Sequence, residues 1–287
     1  MRRSLYYIEA MTMKANIMTN STAGLSRRSA LVLGGAAAVF SLSPLGAVAN
    51  TGTWQRVDEV LAVLDGADPI AQGMVLDLPL VSENGASVQV NLSVDRPMAD
   101  GEFVESIHLF APGNPYPEIA TYHFTPLSGR PAVETRIRLN ETQTVIALAK
   151  LSSGAVLVGE QEVRVTTSGC LTDADTYDTA NEFQTRVRAP EVLATGDIGE
   201  VLTIINHPQE SGLRTDASGD MVPMRLIERF EATLNGEPVF SADLNRSVAT
   251  NPYIKFHIAP QAGGTLELIW TEDTGESAQA SAEISVS

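Results

Sequence analysis

The chain has 287 residues, with 19 Lys/Arg against 35 Asp/Glu and four His, a formal net charge of −16 at pH 7. That balance argues against nucleic acid or an anionic membrane surface as partner. A single cysteine excludes an internal disulfide framework, and no HExxH, CxxC, Walker loop or dinucleotide fingerprint is present.

Residues 1–49 read as an export signal. Arg27 and Arg28 form a twin-arginine pair, the run from Ala30 to Leu42 is small and apolar, and Ala47-Val48-Ala49 has the small-x-small cleavage pattern. The apolar run is too short for a comfortable membrane span. The reading is cleavage after Ala49 and export by the twin-arginine route to the periplasm. An ordinary secretory signal with an incidental arginine pair fits the same residues. The segment holds five Lys/Arg and one Asp/Glu, so the rest of the chain carries 14 against 34, a formal −20. In an oxidising compartment a lone thiol points to intermolecular pairing or to a reactive group.

Residues 53–65, "TWQRVDEVLAVLD", predict a short amphipathic helix with Trp54, Val57, Leu61 and Leu64 on one face. Strand signals follow from residue 74. "SVQVNLSV" alternates with period two, setting Val88, Val90, Leu92 and Val94 on one face and Gln89, Asn91 and Ser93 on the other. "FVESIHLF", "EIATYHF", "AVETRIRL", "TQTVIALAKL" and "AVLVGEQEVRV" continue the series, separated by "APGNPYP", "PLSGRP" and "SSG". This spacing predicts an immunoglobulin-like β-sandwich over residues 50–166. Periodicity stops over 167–182, which read as a linker. A second series, "FQTRVRA", "GEVLTIIN", "LIERFEATLN", "EPVFSADL", "YIKFHIA", "TLELIWTE" and "AEISVS", predicts a second sandwich over 183–287. "NGEP" at 235–238 predicts a tight hairpin, because Asn-Gly tolerates the positive φ such turns require. The fold class is thus all-β, two sandwiches in tandem behind one short helix. The two series do not visibly resemble each other.

The lone Cys170 lies in the linker, beside Gly169. Asp173, Asp175, Asp178 and Glu182 are near it in sequence, and no Lys or Arg occurs from 165 to 185. Like charge disfavours the thiolate, so Cys170 reads as a poor spontaneous nucleophile, suited to being acted upon by other active sites. The histidines are His108, His123, His207 and His257. His108 and His123 fall on strands that can neighbour each other, and hydrogen-bonded strand histidines are the simpler reading than a metal site. His207 precedes Pro208 in a turn. A Cys–His nucleophile pair with His108 or His207 stays open, although a linker would hold such a pair poorly.

Two stretches carry a family resemblance. "VDRPMADGEFVESIHLFAPGNPYPEIATYHFTPLSGRPAVETRIRLNETQTVIALAKLSSG", with its "NPYP" turn and "TRIRL" strand, resembles SoxY of the sulfur-oxidising carrier over residues 70–170. "RVRAP", "NHPQESGLR", "RFEATLNGEPVF", "NPYIKF" and "WTEDTGE" resemble SoxZ over 183–287. The resemblance implies a non-enzymatic carrier with no cofactor and no metal. In it, Cys170 is the covalent sulfur attachment site and Gly169 lends the arm flexibility. It also implies partners. A haem-containing, SoxAX-like enzyme conjugates the thiol oxidatively to thiosulfate. A SoxB-like hydrolase releases sulfate. Where present, a SoxCD-like molybdenum-haem sulfane dehydrogenase oxidises the remaining sulfur. The two domains are expected to pair within the chain. Two departures stand out: Leu171 and Thr172 replace the glycines that follow the family's cysteine, and the chain continues beyond the arm. An internal arm is therefore expected to move less than a free tail. The alternatives are a two-sandwich binding or assembly module of an exported, quinoprotein-associated redox complex, and an enzyme using Cys170 or a histidine-bound metal.

Overall fold

The alternation in "SVQVNLSV" becomes a strand with Val88, Val90 and Leu92 buried and Gln89 exposed, and the same rule builds most of the molecule. The computed structural model describes residues 52–169, 177–216 and 218–287. The first half contains β1 (Met74–Asp77), β2 (Val81–Ser82), β3 (Val88–Val94), β4 (Val104–Phe110), β5 (Glu118–Phe124), β6 (Ala132–Ile137), β7 (Gln143–Leu151) and β8 (Val156–Val165). The second contains β9 (Thr185–Arg188), β10 (Val192–Leu193), β11 (Gly199–Ile205), β12 (Ile227–Leu234), β13 (Glu237–Leu244), β14 (Tyr253–Ile258), β15 (Gly264–Glu272) and β16 (Ser277–Val286). The fold is all-β, as the sequence predicts.

Two sheets face each other, and both run through both halves. One has ten strands in the order β10-β16-β15-β12-β13-β5-β4-β7-β8-β2, the other six in the order β1-β3-β6-β14-β11-β9. Each strand of the first half has its counterpart eight places later, at the mirrored position in the same sheet. The halves therefore share one topology, related by a pseudo-twofold axis at the seam where β5 meets β13 and β6 meets β14. Sequence hid this because alternation and turn placement set strand order, whatever the identities of the side chains.

Aromatic packing fills the seam. Phe240 of β13 lies opposite Phe124 of β5, their rings edge to face at 5.5 Å, and stacks on Phe256 of β14 at 4.6 Å. Phe230 joins Phe240 to Trp270. On the outer faces of the two sheets, His123 Nε2 meets Asp243 Oδ2 at 2.7 Å, and Lys255 Nζ meets Glu134 Oε2 at 2.5 Å. The Asn235-Gly236 turn joins β12 to β13 with φ of 51° and 83°, as the sequence predicts.

The N-terminal helix is shorter than predicted and turned differently. A 3-10 turn (Thr53–Arg56) leads into α1 (Asp58–Leu64). Val57, Val60 and Leu64 are buried against Phe110, Ile146, Leu148, Val156 and Val158, whereas Leu61, expected inside, is 41% exposed. The break at Val57 resets the helical phase, so the buried stripe runs 57, 60, 64. Covered by α1 on one face and by the core on the other, β7 is buried continuously from Val145 to Ala149. Among the described residues no helix packs over β15, which alternates: Leu266, Leu268 and Trp270 are buried and Glu267 is exposed.

Candidate functional site

Cys170 lies outside the described residues, but the chain on both sides of it is described. Upstream, the backbone is held through Gly169. Thr166 N–H donates to Ser82 O at 3.0 Å, Gly85 N–H to Thr167 O at 2.8 Å, and Leu139 N–H to Gly85 O at 2.8 Å. Gly169 N–H donates to Leu139 O at 3.0 Å, and Ser168 Oγ bonds Asn140 Oδ1 at 2.9 Å. Gly169 is buried, and a Cβ on it would lie 1.9 Å from the carbonyl carbon and oxygen of Gly85. Close backbone approach thus gives this glycine a packing role that the sequence did not suggest. Gly85 is its counterpart, since a Cβ there would lie 2.3 Å from Leu139 O.

Downstream, Asp178 caps a short turn (Thr179–Asn181). Its carboxylate accepts from Ala180 N–H at 3.0 Å and Asn181 Nδ2 at 2.7 Å, and these bonds hold its carboxyl below the usual range. Asn206 Nδ2 donates to the carbonyls of Asp178 and Asn181, at 2.6 and 2.8 Å. Glu182 pairs with Arg225, and Arg225 Nε bonds Glu272 Oε1 at 2.8 Å. Burial would raise the Glu182 carboxyl, but its bonds from Arg225 and Tyr177 outweigh this and lower it. Of the stretch expected as a linker, residues 167–169 are bonded to the first half and 178–182 to the second.

A buried polar chain connects the two anchors. Arg138, one residue before Leu139, is 5% exposed. Its guanidinium donates across the seam to Gln209 O at 2.6 Å, Pro208 O at 3.3 Å and Thr250 Oγ1 at 2.8 Å. His207, fully buried, accepts from Gln209 N–H at Nδ1, and its Nε2 lies 2.8 Å from Glu272 Oε1. Nε2 therefore carries the proton and the ring is neutral, in line with burial lowering its pKa. Glu272 also takes Arg225, which closes the path to Glu182.

The other histidines stand elsewhere. β4 and β5 do pair, but His108 lies opposite Thr121, and His123 opposite Ser106. His108 bonds Ser106 Oγ at 3.0 Å and Thr121 Oγ1 at 3.1 Å, and burial lowers its pKa to about 4. His257 is on β14. Among the described residues no three His, Cys, Asp or Glu groups gather as a metal site would require, and no helix is long and apolar enough to cross a membrane. Sequence reasoning missed Gly85, Arg138 and the Arg225–Glu182 pair. Arg138 directly follows the end of β6, and its buried partners come from the other half of the fold, which strand alternation around "TRIRL" does not reveal.

Comparison with known proteins agrees with the two-half architecture. A family model for the sulfur oxidation protein SoxY matches residues 60–170, and one for the sulphur oxidation protein SoxZ matches residues 187–283. No curated protein matches the chain. Among solved structures, the sulfur carrier protein SoxY from Chlorobium limicola f thiosulfatophilum is similar at 26% identity, over 39% of this chain and 97% of its own, with a TM-score of 0.33. A superoxide reductase (neelaredoxin) from Ignicoccus hospitalis is similar at 18% identity, over 33% of this chain and 81% of its own, with a TM-score of 0.30. With a SoxY domain followed by a SoxZ domain in one polypeptide, the chain belongs to the SoxY and SoxZ sulfur-oxidation proteins as a fused SoxYZ.

Proposed function

We propose that the chain is a non-enzymatic periplasmic carrier that holds thiosulfate-derived sulfur covalently on Cys170. The observation that carries this reading is that the SoxY match ends on the chain's single cysteine, with the SoxZ match following. In the conjugating step the thiol loses its proton, Sγ bonds the sulfane sulfur of thiosulfate, and two electrons pass to a haem-containing partner enzyme. In the next step, water and a hydrolase cleave the bond to the terminal sulfonate. Sulfate is released and a persulfide stays on Sγ. A sulfane dehydrogenase then takes further electrons from that persulfide where such an enzyme is present. The carrier supplies the thiol and its placement, and needs no cofactor of its own.

The anchors support a restrained form of this role. Consecutive Cα atoms are ~3.8 Å apart, so residue 170 follows directly on a glycine pinned between Gly85 and Leu139. On this reading the partner enzymes come to a thiol one residue beyond a backbone that the fold holds in place.

Intact mass of protein purified from its native compartment without reductant tests the proposal. Sulfur or sulfonate adducts are expected, absent from Cys170→Ser, on a chain beginning at Asn50. An unmodified mass, even after incubation with thiosulfate and the haem enzyme, would return the protein to the class of binding modules.

A further inference from the structure

The outer face of the six-stranded sheet carries a basic patch that the electrostatics of the whole chain do not anticipate. Residues opposite each other in an antiparallel pair point to the same face. Arg186 lies opposite Ile204, and Ile204 opposite Tyr253. Arg188 lies opposite Leu202, and Leu202 opposite Lys255. Val201, Thr203 and Ile205 are buried between the sheets, which puts Leu202 and Ile204 on the outside, where both are half-buried. Arg136 extends the row across the seam, its guanidinium 4.9 Å from the centre of the Tyr253 ring. Among the described residues, the side chains of Arg186 and Arg188 have neither an ion-pair nor a hydrogen-bond partner.

Carboxylates on this face are already engaged. Lys255 holds Glu134 at 2.5 Å and Glu200 at 3.4 Å, and Tyr253 OH also donates to Glu134 at 3.0 Å. Asp178 is satisfied by Ala180 and Asn181. With Lys255 the three arginines make four cations against the carboxylates of Glu134, Glu200 and Asp178, a local excess of one positive charge on a polypeptide whose formal charge is −16. A cleft of about 250 Å³ opens at the end of the patch beside the downstream anchor, lined by Arg186, Ile204, Gln184, Asn206, Asn251 and Asp178. Half-buried aliphatic side chains bordered by unpaired arginines beside a recess have the make-up of a protein interface, with an apolar centre and charged rim.

We propose that this face is the docking surface for the enzymes that act on Cys170, and that their matching surface is acidic, with a carboxylate side chain entering the cleft to meet Arg186. The inference rests on the carrier reading above. It accounts for how a strongly acidic carrier orients its partners. The overall charge repels an acidic enzyme, and the arginines relieve that repulsion on the face where Asp178 and Asn181 border the cleft. Complementary rim charges of this kind act mainly on encounter rate and its salt dependence.

The test uses the full chain with the haem-containing thiosulfate-conjugating enzyme of the same organism. The rate of adduct formation on Cys170 is followed by intact mass. In the double variant Arg186→Glu with Arg188→Glu, adduct formation is expected to slow by about tenfold at low ionic strength and to approach wild type at high salt. Arg186→Gln with Arg188→Gln is expected to fall between the two. Both positions are exposed, and alkylation of Cys170 by iodoacetamide, which needs no partner, should be unchanged. An unaltered adduct rate at low ionic strength overturns the proposal while leaving the carrier function intact. So does loss of binding to phosphatidylglycerol vesicles without loss of adduct formation, which would assign the patch to lipid. A wild-type chain that takes no adduct removes the carrier reading and this surface with it.

Discussion

Gly85 and Gly169 touch backbone to backbone, and that contact fixes where the first sandwich hands the chain on to Cys170. A methyl group at 169 has no room, because the nearest Gly85 atoms would be 1.9 Å from it and are themselves held by Leu139 and Thr167. Gly169→Ala is therefore expected to destabilise the fold by ~1–3 kcal/mol, the range for overpacking, and to raise the iodoacetamide reactivity of Cys170 as the upstream anchor yields. Denaturant unfolding and alkylation rate measure the two effects. Ser168→Ala removes only the bond to Asn140 and should change both far less. The sequence showed the cysteine and its neighbouring glycine, but not why the glycine is there. Its partner Gly85 lies 84 positions earlier, and only the register of the folded chain brings the two together.

At the scale of the strands, His108 of β4 makes stability depend on pH. Burial, aided by the nearby Lys150 and His123, lowers the His108 pKa from 6.5 to about 4. The unfolded chain then binds a proton before the folded one does as pH falls. The stability associated with neutral His108 is complete above pH 6.5 and is lost as pH drops from there toward 4, by ~3 kcal/mol. Unfolding midpoints from pH 7 to 4.5 should fall accordingly, and His108→Gln should flatten part of that slope. His207, also lowered by burial, adds to the same trend. Strand identity was legible from period-two alternation, and so were the Asn-Gly turn and the helix near the N-terminus. The face of that helix was legible at Trp54, Val57 and Leu64 but not at Leu61, where Val60 is buried instead. A 3-10 turn before Val57 shifts the phase, and periodicity alone does not register such a break.

For the whole molecule, the seam matters more than the connector. Both sheets cross it, and Phe240 touches Tyr122, Phe124, Phe230 and Phe256 there. Proteolytic cleavage within 170–176 should leave the two fragments co-eluting in gel filtration. Phe240→Ala is expected to cost ~3–5 kcal/mol and to release the fragments of the nicked protein. Separation of the fragments on nicking alone would contradict an interface of this kind. The tandem arrangement was readable from two strand series around a turn-rich gap. Continuity of the sheets was not, because pairing between halves depends on which edges are left open once each half is formed.

The two sheets finish differently, and that difference bears on storage and overexpression. Each end of the larger sheet stops at a two-residue parallel strand, β2 on β8 and β10 on β16, too short to template another chain. The smaller sheet ends in β1 and β9, each paired on one side only. Fibril-like growth by strand addition thus has two starting lines. On β9 it is opposed by the cationic side chains that flank it, so a preparation stripped of those charges would be the first to gel.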